Sequence, residues 1–353
     1  MKRIGIIGCG AISGIYFENL AKLDGVEVVA CADLDLQRCS EVGVRYGVPS
    51  AKVEEILADP SVDMILNLTV PKAHHEVSLL ALRSGKHVYS EKPLAIELHE
   101  GRELLEQAAE RGLRIGCAPD TFLGAALQTC RKILDDGMIG DPIGANGFML
   151  CHGHESWHPS PQFYYEFGGG PLYDMGPYYL TALVSLLGPA SQVVGMAQTT
   201  FPTRTITSRP RNGEVIEVET PTHLVSTIRF DAGAVAQLTT SFDVWATELP
   251  CLEVYGTKGS LSVPDPNGFG GSVRVRREGE TEWSEVPLVP GCAENGRGLG
   301  AWDMAQAIEE DRPHRASGEM AFHVLEIIAG THRSEKEGRR VELTTRPERP
   351  APL

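Results

Sequence analysis

The sequence predicts a two-domain chain, an α/β domain with a doubly wound parallel sheet followed by an α+β domain on a largely antiparallel open sheet. Three observations carry this. Strand-like and helix-like runs alternate through residues 1–118, the pattern of parallel strands joined by crossover helices. After about Pro119 the strand-like runs follow one another with short turns between them, as antiparallel strands require. The length, 353 residues, fits two domains at about 150 residues each, both large enough for a core of their own.

In chain order, Arg3–Gly8 reads as the first strand. Ile12, Ile15, Tyr16, Leu20 and Leu23 keep helical spacing, and Val26–Ala32 is a β-branched run. Leu36–Tyr46 predicts a second helix and Asp63–Val70 a buried strand. A helix through Glu76–Arg83 leads to the strand His87–Ser90. Glu97–Arg111 is strongly amphipathic, and Leu113–Cys117 is one more strand. Beyond the boundary, Ala125–Asp136 predicts a helix and Ala145–Cys151 a strand. Gln192–Phe201, His223–Phe230, Ala234–Phe242, Cys251–Tyr255, Ser260–Val263 and Val273–Arg276 are strand-like, with hairpin connectors at Asp231-Ala232-Gly233 and Gly256-Thr257-Lys258-Gly259. Helices near Ala301–Glu310 and Met320–Glu335 close a second domain spanning 119–343. Residues 344–353 read as a loose tail.

Composition excludes several classes of function. Acidic residues number 47 against 32 basic ones, a formal charge of −15, which argues against gripping a nucleic-acid backbone. No run approaches the roughly 18 apolar residues of a membrane span. Met1-Lys2-Arg3 leads straight into a strand and a glycine loop rather than a secretory signal. Eight scattered cysteines without a CxxC pair read as small core residues of a reduced, cytoplasmic protein, with no metal site expected. Glycine supplies 38 residues with no repeating period, so the surplus marks tight turns and close approaches.

The first cluster of those glycines is the most informative. Gly8-Cys9-Gly10-Ala11-Ile12-Ser13 joins the first strand to the first helix, where helix-start N–H groups of residues such as Ala11 and Ile12 favour a diphosphate. Gly8 allows the tight turn and Gly10 the close approach. Ser13 stands where a third glycine is usual, with Gly14 next. Asp33, at the end of the second strand, is placed to bind the adenosine ribose hydroxyls and to repel a 2′-phosphate, which favours NAD over NADP. Arg38 keeps NADP open. No GK[ST] follows the loop, so it is not a P-loop.

Gly85-Lys86-His87-Val88-Tyr89-Ser90-Glu91-Lys92-Pro93-Leu94-Ala95 resembles the GKHV…EKPLA signature of the glucose–fructose oxidoreductase, inositol dehydrogenase and rhizopine-catabolism (Gfo/Idh/MocA) family. Thr69-Val70-Pro71-Lys72-Ala73-His74 and Gly168-Gly169-Gly170-Pro171-Leu172-Tyr173-Asp174-Met175-Gly176 resemble two further family segments. Arg315-Ala316-Ser317-Gly318-Glu319 and His323 are similar as well. The resemblance spans the chain up to its tail. It implies a Rossmann domain, an NAD(P)-dependent oxidoreductase acting on a sugar, cyclitol or related polyol, and cofactor contacts from Thr69, Pro71, His74, Glu91 and Lys92. It further implies that Lys92, Asp174 and the residue four beyond Asp174 stand at the nicotinamide. Most members carry histidine at that last place; this chain carries Tyr178, as glucose–fructose oxidoreductase and dihydrodiol dehydrogenase carry tyrosine.

Oxidising a secondary alcohol by hydride transfer needs a base for the hydroxyl proton and positive charge at the developing alkoxide. Asp174 and Tyr178 are four apart and share a face if the segment is helical. A phenol acting near pH 7 needs its pKa lowered by about two to three units, on the order of 3–4 kcal/mol. Lys92 within reach would supply much of that, while Asp174 would accept a substrate hydroxyl. Local sequence also allows plainer roles: Asp174 as a helix cap, Tyr178 as a core aromatic, Lys92 as a turn lysine. No pattern supports a cis peptide at Lys92-Pro93. His152, His154, Glu155 and His158 lack metal-ligand spacing. That segment reads as a loop over the cleft, with Trp157 as an apolar platform and His158 as a hydrogen-bonding group for substrate; Tyr164 and Tyr165 are weaker candidates. Gly168–Gly170 are expected to bring backbone close to the substrate. A homodimer or homotetramer is expected to use the open face of the second sheet. Two other functions fit the same cofactor site: redox-neutral glycoside cleavage through transient oxidation, and non-enzymatic nucleotide sensing.

Overall fold

The computed structural model describes all 353 residues and divides into two compact units, Met1–Leu123 with Asn295–Leu325 and Gly124–Glu294 with Glu326–Leu353. The first unit holds strands β1 (Lys2–Ile7), β2 (Val26–Ala32), β3 (Met64–Asn67), β4 (His87–Ser90) and β5 (Ile115–Cys117), with helices α1 (Ser13–Leu20), α2 (Leu36–Tyr46), α3 (Val53–Ala58), α4 (Pro71–Arg83) and α5 (Leu98–Glu110). The strands are all parallel, in the order β2-β1-β3-β4-β5. Chain order reverses beside β1, so the crevice beyond the ends of β1 and β3 is a topological switch point, where such sheets bind ligands. β3 is buried along its whole length, the mark of a sheet covered on both faces.

The first segment of this unit ends at Leu123, and a second segment comes from far along the chain. Residues 295–325 return to it, including α9 (Leu299–Glu309). Asp120 explains how: its buried carboxylate accepts the N–H groups of Gly298 and Gly300 at 2.8 and 2.9 Å, filling donors that a helix start leaves open. Trp302 and Gln306 then donate to Asp24 O, and Cys117 N donates to Ala316 O.

The second unit comprises α6 (Ala125–Asp135), β6 (Pro142–Leu150), α7 (Gly170–Asp174), α8 (Gly176–Leu187), β7 (Ala190–Gln198), β8 (Thr203–Thr205), β9 (Val215–Glu217), β10 (His223–Phe230), β11 (Val235–Ser241), β12 (Leu252–Gly256), β13 (Gly259–Val263), β14 (Val273–Arg277) and β15 (Ser284–Val286). α10 (Gly318–Glu337) crosses the unit boundary in sequence, and β16 (Val341–Glu342) ends the chain's regular structure. Nine strands form one sheet, β15-β14-β13-β12-β6-β11-β10-β7-β16; only β6 and β11 pair in parallel. β8 and β9 make a separate ladder.

Residues 344–353 are not loose. Glu326 accepts the N–H and O–H groups of both Thr344 and Thr345. Arg349 bonds Ser185 O and Asp135, and Leu353 N donates to Gln128. A Pro- and Arg-rich composition reads as a linker, but here Thr344, Thr345, Arg346, Arg349 and Leu353 all hydrogen-bond to the rest of the unit or to one another. No helix is long and apolar enough to cross a membrane.

Candidate active site

The first unit builds a nucleotide grip from backbone geometry. The chain turns after β1 at Gly8, with φ +103°. A Cβ there would lie 2.5 Å from Leu68 O, so only glycine lets the loop pass beside the end of β3. At Gly10 a Cβ would meet nothing within 4 Å, leaving the open approach a diphosphate needs. The N–H groups of Ala11 and Ile12 have no main-chain acceptor and stand at the positive end of α1. Ser13 is accommodated because its hydroxyl turns back to Gly10 O at 2.8 Å. These residues fit a dinucleotide diphosphate.

Asp33 stands at the end of β2, its side chain 7 % exposed. Its oxygens accept from Cys9 N at 2.7 Å, Asp35 N at 2.8 Å, and Arg38 Nη2 at 2.6 Å. Burial pushes the carboxyl up, but Arg38 and the two N–H groups outweigh it and hold the group below its ordinary value. Arg38 therefore sits as the ion-pair partner of Asp33.

Two loops at the ends of β3 and β4 are braced against each other. Asn67 is fully buried; its amide donates to His74 O and Ser78 Oγ, and its carbonyl accepts from the N–H and hydroxyl of Thr69. Pro71 opens α4 at a position where its missing N–H costs nothing. The buried His74 ring places Nδ1 2.7 Å from Pro93 O and Nε2 2.9 Å from Thr69 O. Burial disfavours its charged form and prevails over both carbonyls, so its pKa is lowered. A neutral ring carries one N–H, so His74 donates to one of these carbonyls and packs against the other; it ties the two loops together and does not reach toward a ligand.

Glu91 is likewise a brace. Its carboxylate accepts the Tyr16 hydroxyl at 2.7 Å and Lys92 N at 3.0 Å. Tyr16 is fully buried, and burial together with Glu91 drives its pKa well above the usual phenol value, so it stays a donor. Lys92 thus emerges between two buried neighbours, Glu91 and Pro93, and its peptide to Pro93 is cis, a feature that no sequence pattern indicates.

The second unit builds its group from side chains. α7 ends at Asp174, and α8 begins at Gly176. Pro177 has no N–H to continue the ladder, which separates the two helices; Asp174 therefore closes a helix rather than capping the start of one. Tyr178 lies in the first turn of α8, a buried position. His154, from the loop after β6, places Nε2 3.3 Å from Asp174 Oδ2. Its Nδ1 is buried with no hydrogen-bond partner. The carboxylate can only accept, so the ring carries its proton on Nε2. Tyr164 and Phe242 pack on the imidazole at centroid distances of 4.2 and 4.6 Å.

The next residue holds that loop in place. Glu155 accepts from Arg204 Nη1 at 2.9 Å and from the Tyr165 hydroxyl, and Arg204 also bonds Asp243. Arg204 is 4 % exposed, and its two carboxylate partners are nearly as buried. Gly153 is required here, since a Cβ would strike the Tyr165 hydroxyl and Glu155. Tyr165 is fully buried and serves this cluster, not a substrate. Trp157 is 61 % exposed on the same loop. Half-buried His158 accepts Ser160 N at 3.1 Å, and burial lowers its pKa. Gly169 and Gly170 press against Phe163 O and Pro221 O respectively, so the glycine run serves packing around α7.

Two family models match this chain. Residues 2–118 match an oxidoreductase family with an NAD-binding Rossmann fold, and residues 127–262 match the C-terminal domain of the same family. The chain belongs to the Gfo/Idh/MocA family. It is an NAD-binding oxidoreductase. This Gfo/Idh/MocA protein is 29 % identical to a 1,5-anhydro-D-fructose reductase from Ensifer adhaerens over 82 % of its length and 84 % of the relative's. It is 25 % identical to a myo-inositol 2-dehydrogenase from Thermotoga maritima, covering 73 % and 74 %. A levoglucosan dehydrogenase solved with NADH and L-sorbose shares the fold at a TM-score of 0.83, with 20 % identity over 98 % and 99 % of the chains.

Sequence reasoning missed His154, Asn67, Tyr16 and the Glu155–Arg204–Asp243 cluster. A signal existed for Asn67, an amide inside the apolar run Met64–Leu68. None existed for His154, whose partner lies 20 residues on.

Proposed function

We propose that this enzyme moves a hydride between NAD and a secondary hydroxyl or ketone of a carbohydrate, cyclitol or related polyol. Lys92, Asp174 and Tyr178 serve the reacting oxygen, and His154 acts through Asp174. The observation that carries this reading is the His154–Asp174 pair. The chain lacks the common family histidine four residues beyond Asp174, yet an imidazole meets that aspartate from another loop. Bound NAD⁺ supplies the hydride acceptor. Asp174 accepts the hydroxyl proton, and the imidazole on its other oxygen shares the charge. The Lys92 ammonium stabilises the developing alkoxide, and the Tyr178 phenol supplies a hydrogen bond to the same oxygen. No large phenol pKa shift is then required.

The substrate class is supported by the relatives that act on an anhydro-sugar and on an inositol. Trp157 supplies an exposed ring for sugar C–H groups, and His158 a hydrogen bond. Asp33 supports NAD over NADP: Asp33→Ser is expected to weaken NAD binding about 10- to 100-fold, the scale of a hydrogen bond to a charged group, measured by NADH fluorescence titration. A homodimer or homotetramer through the outward sheet face, where Val194, Met196 and Val235 are exposed, is checked by light scattering. Eight free thiols support a reducing, cytoplasmic setting. The test of function is a panel of sugars, inositols and aryl glycosides with NAD, followed by nicotinamide absorbance and product chromatography. Stoichiometric NADH with a keto product is expected; cleavage without net NADH would contradict the reading.

A further inference from the structure

Three thiols that have no common spacing in sequence meet beneath the nucleotide loop. Cys9 lies between Gly8 and Gly10, Cys31 near the end of β2, and Cys39 in the first half of α2. The parallel pairing of Ile7 with Ala32 sets the first two side by side, and α2 folds back over them. All three sulfurs lie within 4.8 Å of one another, with Cys31 Sγ 3.9 Å from Cys39 Sγ. Each residue is 3 % exposed or less. Three sulfurs bound to one ion at about 2.3 Å stand about 4 Å apart, so the fold already holds them near that spacing.

We propose that Cys9, Cys31 and Cys39 form a trithiolate site for a soft divalent cation of the zinc group. The occupied site would staple the nucleotide loop to β2 and α2. The donor set is entirely sulfur, which selects soft cations over magnesium or calcium. The neighbouring carboxylate does not enlarge it, because both Asp33 oxygens are taken by Cys9 N, Asp35 N and Arg38. What the thiols relinquish is small. Cys9 Sγ donates to Ala32 O at 3.6 Å and Cys39 Sγ to Cys31 O at 3.4 Å, both weak bonds. Binding exchanges three S–H bonds for three metal–sulfur bonds and releases three protons to solvent, with no change of oxidation state. The product carries one net negative charge. Three-coordination suits the softer members of the group, since hard-edged structural zinc sites close with four ligands.

The site is tested on reduced protein without nucleotide, titrated anaerobically with cadmium(II) alone. One equivalent per chain is expected to give a thiolate-to-cadmium charge-transfer band, release about three protons and raise Tm. Alkylation mapped by mass spectrometry should slow at Cys9, Cys31 and Cys39 and not at the other five cysteines. Cys39→Ala should lose the tight phase while Cys130→Ala keeps it. If Cys39→Ala does not fold, the wild-type protection map decides. Absence of the band, or protection centred on other cysteines, would overturn the proposal. Neither NAD nor substrate is used, so this failure is distinct from failure of the hydride-transfer reading.

Discussion

The two units reach precision by different means. In the first, main chain does most of the work: Gly8 passes against Leu68 O, His74 sits between two main-chain carbonyls, and Lys92 N is held by Glu91. In the second, His154 and Asp174 are placed by side chains, above all the buried Glu155–Arg204–Asp243 cluster. A backbone device depends on a few residue types at set spacing. A side-chain device depends on partners that the chain brings together from afar, and it fails when one is removed.

In the proposed reaction both units contribute equally to the chemistry. Asp174→Ala and Lys92→Ala should each lower kcat about 10²–10⁴-fold while NADH binding stays near wild type; a loss under tenfold for either would break the assignment. Next in size, Arg204→Met leaves two buried carboxylates without their cation and should cost about 3–5 kcal/mol. Glu91→Gln, which keeps an acceptor for Tyr16, should cost about 1 kcal/mol. Urea unfolding checks both, and equal losses would erase the contrast between the units.

Asp120 gives the first unit a pH dependence of its own. Burial raises its carboxyl to about 6, against the opposing N–H groups of Gly300 and Gly298. The folded state then binds more protons than the unfolded state between pH 4 and 6, so this group's contribution is present at low pH and lost as pH rises through 6. Two units correspond to about 3 kcal/mol. Asp120→Asn keeps a carbonyl for both N–H groups and should remove that decline, measured as the difference in unfolding free energy between pH 4.5 and 7. His87, held to about 4 by burial, runs the opposite way, but it is common to both proteins and cancels. Identical pH dependence in wild type and variant would contradict the assignment.

The same contrast governs what could be read from sequence. β2, α2, β4 and β10 begin and end where periodicity placed them, because strand and helix repeats are local. The glycine loop was legible for the same reason. α8 offered no period to read, since all of its residues are buried and no polar face marks a helix. Residues 295–325 joined the first unit through Asp120, one carboxylate 178 residues from its acceptor-seeking N–H. Glu91 and His74 were visible as motif residues, but their work, bracing Lys92 and two loops, depends on partners that only the fold supplies. His154 stood among three histidines without metal-ligand spacing, in a segment that read as a loop over the cleft; a partner 20 residues away gives it meaning.

In the proposed reaction the Asp174–His154 pair, rather than Tyr178, takes up the hydroxyl proton. The direct measurement is the pH profile of kcat/KM for wild type, His154→Gln and Tyr178→Phe on a substrate identified from the panel. The pair predicts that His154→Gln lowers the rate about 10- to 100-fold and moves the acid limb to higher pH, because the carboxylate loses the imidazole that favours its charged form. Tyr178→Phe should keep the limb in place and lose less than tenfold. An unmoved limb in His154→Gln, together with its loss in Tyr178→Phe, would contradict the account.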